Sequence, residues 1–364
     1  MKLKELCEKL EAWAPLSYQE PYDNSGLLVG NPNQEVKGVL VSIDCTESVL
    51  DEAIENGCNV IVSHHPIIFK GLKSLTGKNY TERTVLKAVK NDIALYAIHT
   101  NLDNIYDGVS KMMANRLGLI NCKVLAPKKA LLKMLITYVP KKDAEDVRVA
   151  LFSVGAGSLG EYSECNFSVE GVGTFKGSPL SNPAVGERGI REDVVEERLE
   201  MVFPAHIESH VISTLKKVHP YEEVAYSVFS IDNANHRVGS GIVGDLKKSI
   251  SEREFLRIVK EKFKSPCIRH TALLNNKIKK VALCGGSGSF LLNEAKHSGA
   301  DIFITGDFKY HEFFDAEESI LIADIGHYES EQYTVDLITD FLRKKFTKFA
   351  IRLSEVTTNP INYL

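Results

Sequence analysis

Residues 39–66 read VLVSIDCTESVLDEAIENGCNVIVSHHP. Two short Val/Ile-rich runs flank a segment whose apolar residues, Val49, Leu50, Ala53 and Ile54, fall on one helical face. Near-continuous apolar strands on either side of a helix read as parallel strands covered on both faces. Residues 281–307, VALCGGSGSFLLNEAKHSGADIFITGD, repeat the same strand-helix-strand phrase. At an offset of 242 (281 minus 39) and with no gap, Val39 falls on Val281, Leu50 on Leu292, Gly57 on Gly299 and His65 on Asp307. The phase of the apolar pattern runs through the whole unit, which predicts an internal duplication. Each copy continues into a further strand, ALYAIHTNLD (94–103) or ILIADIGHYESE (320–331), and then a helix, VSKMMANRLG or TVDLITDFLRKKF. The expected fold class is α/β, with two similar halves forming one composite domain.

A middle segment of different grammar separates the halves. From Leu131 to Ile231 it reads strand LKMLITYVP, helix AEDVRVALFSVGAG, strands ECNFSVEGVGTF and RLEMVFP, helix HIESHVISTLKKVHP and strand VAYSVFSI. This βαββαβ order is that of a ferredoxin-like module, with a Pro/Gly/Ser-rich loop from Gly177 to Asp193. The expected division is residues 1–127 for the first half, 128–232 for the inserted module and 233–364 for the second half, packing with the first. A chain of 364 residues exceeds what one core usually holds, and an exposed connection tolerates such an insertion.

Composition narrows the function classes. Lys plus Arg total 44 against 48 Asp plus Glu, so no overall basic excess points to a sequence-independent grip on nucleic acid. No stretch reaches the roughly 18 apolar residues of a membrane helix. The opening MKLKELCEKLEAWAP alternates charged and apolar residues as an amphipathic helix does, not as a signal peptide does, so a cytoplasmic protein is expected. Seven scattered cysteines, with no C-x-x-C pair, argue against a disulfide framework or a thiolate zinc site. A metal here is held by nitrogen and oxygen.

His64 and His65 leave the end of a buried strand, the edge where open α/β sheets place their sites. Consecutive side chains point to different sides, so the pair faces two ions across a shared bridge more easily than it chelates one. Asp103 follows the next strand, and His327 and Glu331, four apart on a first helical turn, follow its counterpart in the second half. Individually these are caps and turns. Together, three imidazoles and two carboxylates suit two divalent ions, with Glu331 able to bridge them. Two such cations against two carboxylates leave a positive surplus that attracts an anionic substrate and makes hydroxide from a bridging water near neutral pH. His99, Asp307, Lys309 and His311 are candidates to orient those groups or donate a proton. GGSGS after VALC reads as a tight turn able to offer N–H groups to a phosphate, and HPYEE (219–223) as a structural turn first, with ligand binding or a subunit contact as its alternatives. GLKSLTGKN has the wrong spacing for a phosphate-binding loop.

At SHHPIIF, HTNLD, GDFKYHE and GHYESE the chain resembles the GTP cyclohydrolase type 2 homologue family of dinuclear-metal, hexameric proteins, from YDNSGLLVG through TTNPINY. The resemblance implies that His64, His65, Asp103, His327 and Glu331 are metal ligands, Glu331 bridging, in a toroidal homohexamer whose metal sites face an internal cavity. It also implies a PII- or CutA-like middle module. The leading expectation is a hydrolase acting on a nucleotide-like or phosphate-containing substrate, with zinc the first choice of metal and Fe, Mn, Ni or Co the others. The rival is a non-catalytic metalloprotein, a regulatory or scaffold hexamer, with nucleic acid as a possible partner.

Overall fold

Val39, Val41, Val60 and Val62 belong to one apolar cluster, while Leu40 and Ile61 belong to another. That alternation is the period of two of an extended chain, and it shows a sheet buried on both faces. In the computed structural model, which describes all 364 residues, this sheet has five strands. Their order is Gly26–Val29, Ala94–Ala97, Val60–Ser63, Gly38–Ser42 and Ala350–Leu353. The helices Leu3–Trp13 and Thr334–Lys345 supply Leu3, Leu6, Leu10, Ile338 and Leu342 to one face. Glu47–Glu55 and Tyr80–Lys90 supply Val49, Leu50, Ala53, Val85 and Ala88 to the other.

The second sheet has six strands, ordered Arg269–His270, Leu321–Asp324, Ile302–Gly306, Lys277–Ser287, Asn235–Ser251 and Ile120–Lys128. Its central register repeats that of the first. Val39 pairs with Val60 in parallel and Val281 pairs with Ile302 in parallel, each residue displaced by the same 242 (281 minus 39). Both sheets carry an antiparallel strand outside the third parallel one. Both copies also end their helix on a glycine with positive φ, +65° at Gly57 and +71° at Gly299, the left-handed conformation that closes a helix without a Cβ clash. Strand order and register therefore support the duplication.

The halves exchange elements. Ala350–Leu353, from the second half, pairs in parallel with Gly38–Ser42, and Ile120–Lys128, from the first, joins the second sheet. The helix Val109–Arg116 likewise places Met113 and Ala114 among Val281, Leu283 and Ile304, while Ile338 and Leu342 go to the first sheet. Met1–Pro127 and Arg237–Leu364 accordingly form one unit.

Lys128–His236 is the other unit. Its four antiparallel strands lie in the order Phe167–Lys176, Arg191–Pro204, Leu132–Pro140, Tyr226–Ile231. The helices Ala144–Ser153 and Glu208–Val218 bury Val147, Leu151, Val211 and Leu215 against Leu135, Leu199, Met201 and Phe203. The sequence expectation of a loop from Gly177 to Asp193 is too long at its end: the strand begins at Arg191, because Arg191 continues the ladder opposite Lys176. No helix anywhere is long and apolar enough to cross a membrane.

Asn79 caps the helix Tyr80–Lys90 by accepting the Glu82 N–H at 2.8 Å. Glu82 in turn accepts from Thr76 N–H at 2.8 Å, Thr76 Oγ1 at 2.9 Å and Lys78 N–H at 3.3 Å, tying down the loop that follows the two histidines. Those donors, the Thr76 amide foremost, hold its carboxyl at about 2 against the usual 4.5. A depressed folded-state pKa stabilises the fold above the unfolded value and loses that contribution as pH falls toward the folded one. Glu82→Gln should therefore lower Tm at neutral pH, with the gap from wild type closing as pH drops from 4.5 toward 2. Thermal melts across that range check it; a gap independent of pH would refute it.

Candidate metal centre

The strand Val60–Ser63 ends with its ladder still engaged: His64 N–H donates to Ser42 O at 3.1 Å and His65 N–H to Ile43 O at 2.9 Å. The two imidazoles thus leave a rigid backbone toward different neighbours. His64 is fully buried, and its Nδ1 lies 2.8 Å from the carbonyl oxygen of Ile98. His65 Nδ1 lies 2.8 Å from Asp44 Oδ1, and His327 Nδ1 2.7 Å from Asp307 Oδ2. An acceptor at each Nδ1 favours the proton on that nitrogen, so that in the neutral ring Nε2 is the electron-pair end available to a metal.

All three Nε2 atoms gather on Glu331. His65 Nε2 is 3.0 Å and His327 Nε2 3.1 Å from Glu331 Oε2, and the two nitrogens are 3.3 Å apart. His64 Nε2 is 3.6 Å from Glu331 Oε1 and 3.7 Å from Asp103 Oδ1. Each carboxylate oxygen of Glu331 therefore serves its own group of donors. His64, His65 and Glu331 offer ligand atoms all within 4.8 Å of one another.

Electrostatics bind the cluster tightly. The His327 imidazole is raised to about 11 by Glu331, with Asp307 adding to it against burial. Burial pushes His65 down, but Asp44 and Glu331 raise it to about 10. Burial is the largest influence on Glu331 and pushes it up, yet the histidines hold it well below its ordinary value. Asp103 is raised by burial.

Two atoms of this cluster are placed as a cation's ligands would be. His64 Nε2 and Asp103 Oδ1 are buried and have no hydrogen-bond partner. Buried polar atoms are ordinarily paired, and leaving one unpaired costs about 1–3 kcal/mol. Their separation of 3.7 Å is too long for a hydrogen bond. It is close to the roughly 3.3–3.6 Å between two donors that share a tetrahedral ion at about 2.0–2.2 Å. The all-nitrogen-and-oxygen donor set suits Zn, Fe, Mn, Ni or Co.

The glycines after VALC serve this centre. A Cβ on Gly286 would lie 2.4 Å from Glu331 Oε1, and its φ of +61° already suits glycine. Its N–H donates to Ser330 Oγ at 2.9 Å, and so is occupied within the fold. At the offset of the repeat Gly286 stands where the first half has Asp44 (286 minus 44 is 242), so one copy anchors a histidine where the other makes room for the shared glutamate.

The five residues singled out in the sequence thus come together, and two of the proposed supporting residues join them. Asp307 holds His327. His99, with Nδ1 2.7 Å from Asp23 Oδ1, stacks edgewise 5.4 Å from His64 and 5.3 Å from His65. His311 lies apart: it is exposed on the short helix Tyr310–Ala316 among the rings of Tyr310 and Phe314. Lys309 begins that helix, its N–H donating to Glu312 at 2.8 Å. In the other unit His219 lies 2.9 Å from Tyr138 O through Nε2 and accepts the Tyr221 N–H at 3.1 Å, a structural turn. Sequence reasoning passed over Asp23 and Asp44. Asp44 ends the strand phrase VLVSID on the sheet edge that carries the histidines, and that position is the signal that would have found it.

A cleft of about 480 Å³ opens onto the cluster, lined by His65, His99, Asp103, His327 and Glu331 together with Tyr22, Phe69 and Phe290.

Comparison with known proteins gives a consistent result over the full length. The family model Duf34/NIF3 (NGG1p interacting factor 3) matches residues 1–360. A Bacillus subtilis protein named GTP cyclohydrolase 1 type 2 homolog is 39% identical over 371 residues, covering 99% of this chain and 98% of that one. Among solved structures, a Bacillus cereus protein related to NIF3 superposes with TM-score 0.87 at 37% identity, covering 100% of this chain and 99% of the other. A Staphylococcus aureus protein superposes with TM-score 0.79 at 32% identity, with the same coverage.

Proposed function

We propose, because the chain belongs to the Duf34/NIF3 family, that its convergent imidazoles and carboxylates serve a metal-dependent hydrolase. The substrate is phosphate-containing or nucleotide-like. The observation that carries this reading is the set of three anchored Nδ1 atoms whose opposite nitrogens meet on Glu331, with His64 Nε2 and Asp103 Oδ1 buried and unpartnered. His64, Asp103 and Glu331 Oε1 would hold one divalent cation, and His65, His327 and Glu331 Oε2 a second, zinc being the first choice. Such ions supply Lewis acidity and lower the pKa of water.

The chain's own side chains then do the positioning. Asp44 and Asp307 keep His65 and His327 in one tautomer and orientation, and Thr358 Oγ1 donates to Asp44 Oδ2 at 2.5 Å to fix that carboxylate. Asp23 occupies Nδ1 of His99, leaving Nε2 of that ring to carry a proton at the cleft. The burial of Glu331, and of the Oδ1 atom of Asp103, keeps bulk water from competing for those oxygens, while the rest of Asp103 lines the cleft.

The same proposal includes a cytoplasmic homohexamer. It takes the Lys128–His236 unit as a PII- or CutA-like insert, a reading favoured by that unit's βαββαβ order. The relatives' name supports nucleotides as the first compounds to try. Protein loaded with zinc, manganese or iron should turn over one of a panel of nucleotides, phosphodiesters and GTP, and should stop when a chelator strips the metal. Turnover that persists in chelator defeats the hydrolase; stoichiometric metal with no turnover on any substrate favours the non-catalytic regulatory or scaffold reading.

A further inference from the structure

We infer, building on that metal-centre reading, that the cleft recognises a flat aromatic ring carrying a single phosphate group and not a nucleoside triphosphate, because a row of rings leads to the donor cluster and no lysine or arginine lines the way. His99 stands 5.3 Å from His65 and 6.1 Å from Phe69, and Phe69 stands 6.2 Å from Tyr22, so aromatic faces and edges run unbroken from the cluster outward. Phe290 lines the same cleft. Tyr22, Phe69 and Phe290 are 63%, 43% and 63% exposed, and what sets them apart is that all three line one cleft, an apolar surface that a ligand there would cover. A planar ring does so well, since aromatic faces and edges attract one another beyond simple burial.

Charge sets the other half of the ligand. None of the residues lining the cleft is Lys or Arg, and Glu20 and Asp103 are among them. A chain of phosphates is ordinarily gripped by guanidinium or ammonium groups, or by a nest of backbone N–H groups. Here the Gly286 N–H is already taken by Ser330. With the histidines engaged as ligands, the positive charge such a cleft would offer an anion is the surplus of bound cations over Asp103 and Glu331, which would offset one phosphate and leave the outer phosphates of a triphosphate beside acidic side chains.

The test is calorimetric titration of zinc-loaded protein with phenylphosphonate, methylphosphonate, GMP and GTP, the phosphonates being proof against hydrolysis. Zinc alone is titrated first, into wild type and into Phe69→Ala and Phe290→Ala. The expected result is zinc binding in all three proteins, phenylphosphonate bound at least about tenfold more tightly than methylphosphonate by wild type, and that preference lost in both variants. GTP should bind no more tightly than GMP. Failure of zinc itself to bind removes the metal centre and this inference with it. Normal zinc binding with equal affinity for the two phosphonates, or with GTP preferred to GMP, overturns the ring-and-single-phosphate assignment alone.

Discussion

Glu331→Gln is expected, on the two-ion reading proposed above, to empty the centre on at least one side and leave fewer divalent ions bound per chain than in wild type. The reason is geometric: one carboxylate oxygen lies among His65 and His327 and the other faces His64. An amide keeps one acceptor oxygen and turns two N–H donors toward nitrogen electron pairs. Losing even a group that merely orients a ligand weakens metal binding by about 10–100-fold, so loss of a donor shared by both sides should exceed about 100-fold. Elemental analysis of desalted protein, beside a thermal melt to confirm folding, reads the outcome. A folded variant with wild-type metal content would remove Glu331 from the centre.

Asp44→Ala should weaken one ion and spare the other. It deletes the acceptor 2.8 Å from His65 Nδ1 and the partner of Thr358, freeing that ring to rotate and to place its proton on Nε2. His64 is anchored by the carbonyl of Ile98 and is untouched. A competitive chelator titration should therefore split into two classes of site, one about 10–100-fold weaker than wild type and one unchanged, with Asp44→Asn intermediate because its amide oxygen still accepts. Uniform weakening of both classes, or none, would contradict the division of donors described above.

Much of this was legible in the sequence because burial leaves a mark there. Strands covered on both faces must be apolar at every position, so Val39–Val41 and Val60–Val62 announce themselves, and their echo at Val281 and Ile302 carries the register with it. His64, His65, Asp103, His327 and Glu331 were visible as polar groups placed just where such strands stop. What escaped has physical causes too. Asp23 and Asp44 look like any turn or capping carboxylate until the chain brings them to His99 and His65, 76 and 21 residues away. Gly286 looked like a turn because its purpose, space for Glu331, is a contact with a side chain from another element. The exchange of strands was hidden because Ala350–Leu353 is a half-exposed run of four residues with weak periodicity.

That last strand has a bearing on damaged copies of the molecule. Gly38–Ser42 is buried at every residue, and Ala350–Leu353 is what occupies its free side. A copy nicked or truncated ahead of Ala350 would keep both histidines of the first half but present a naked, apolar ribbon of unfilled amide and carbonyl groups, an invitation to stick to its like. Such fragments should drop out of solution as clumps instead of circulating as half-built centres that scavenge metal, which makes the closing strand a guard on the integrity of the whole.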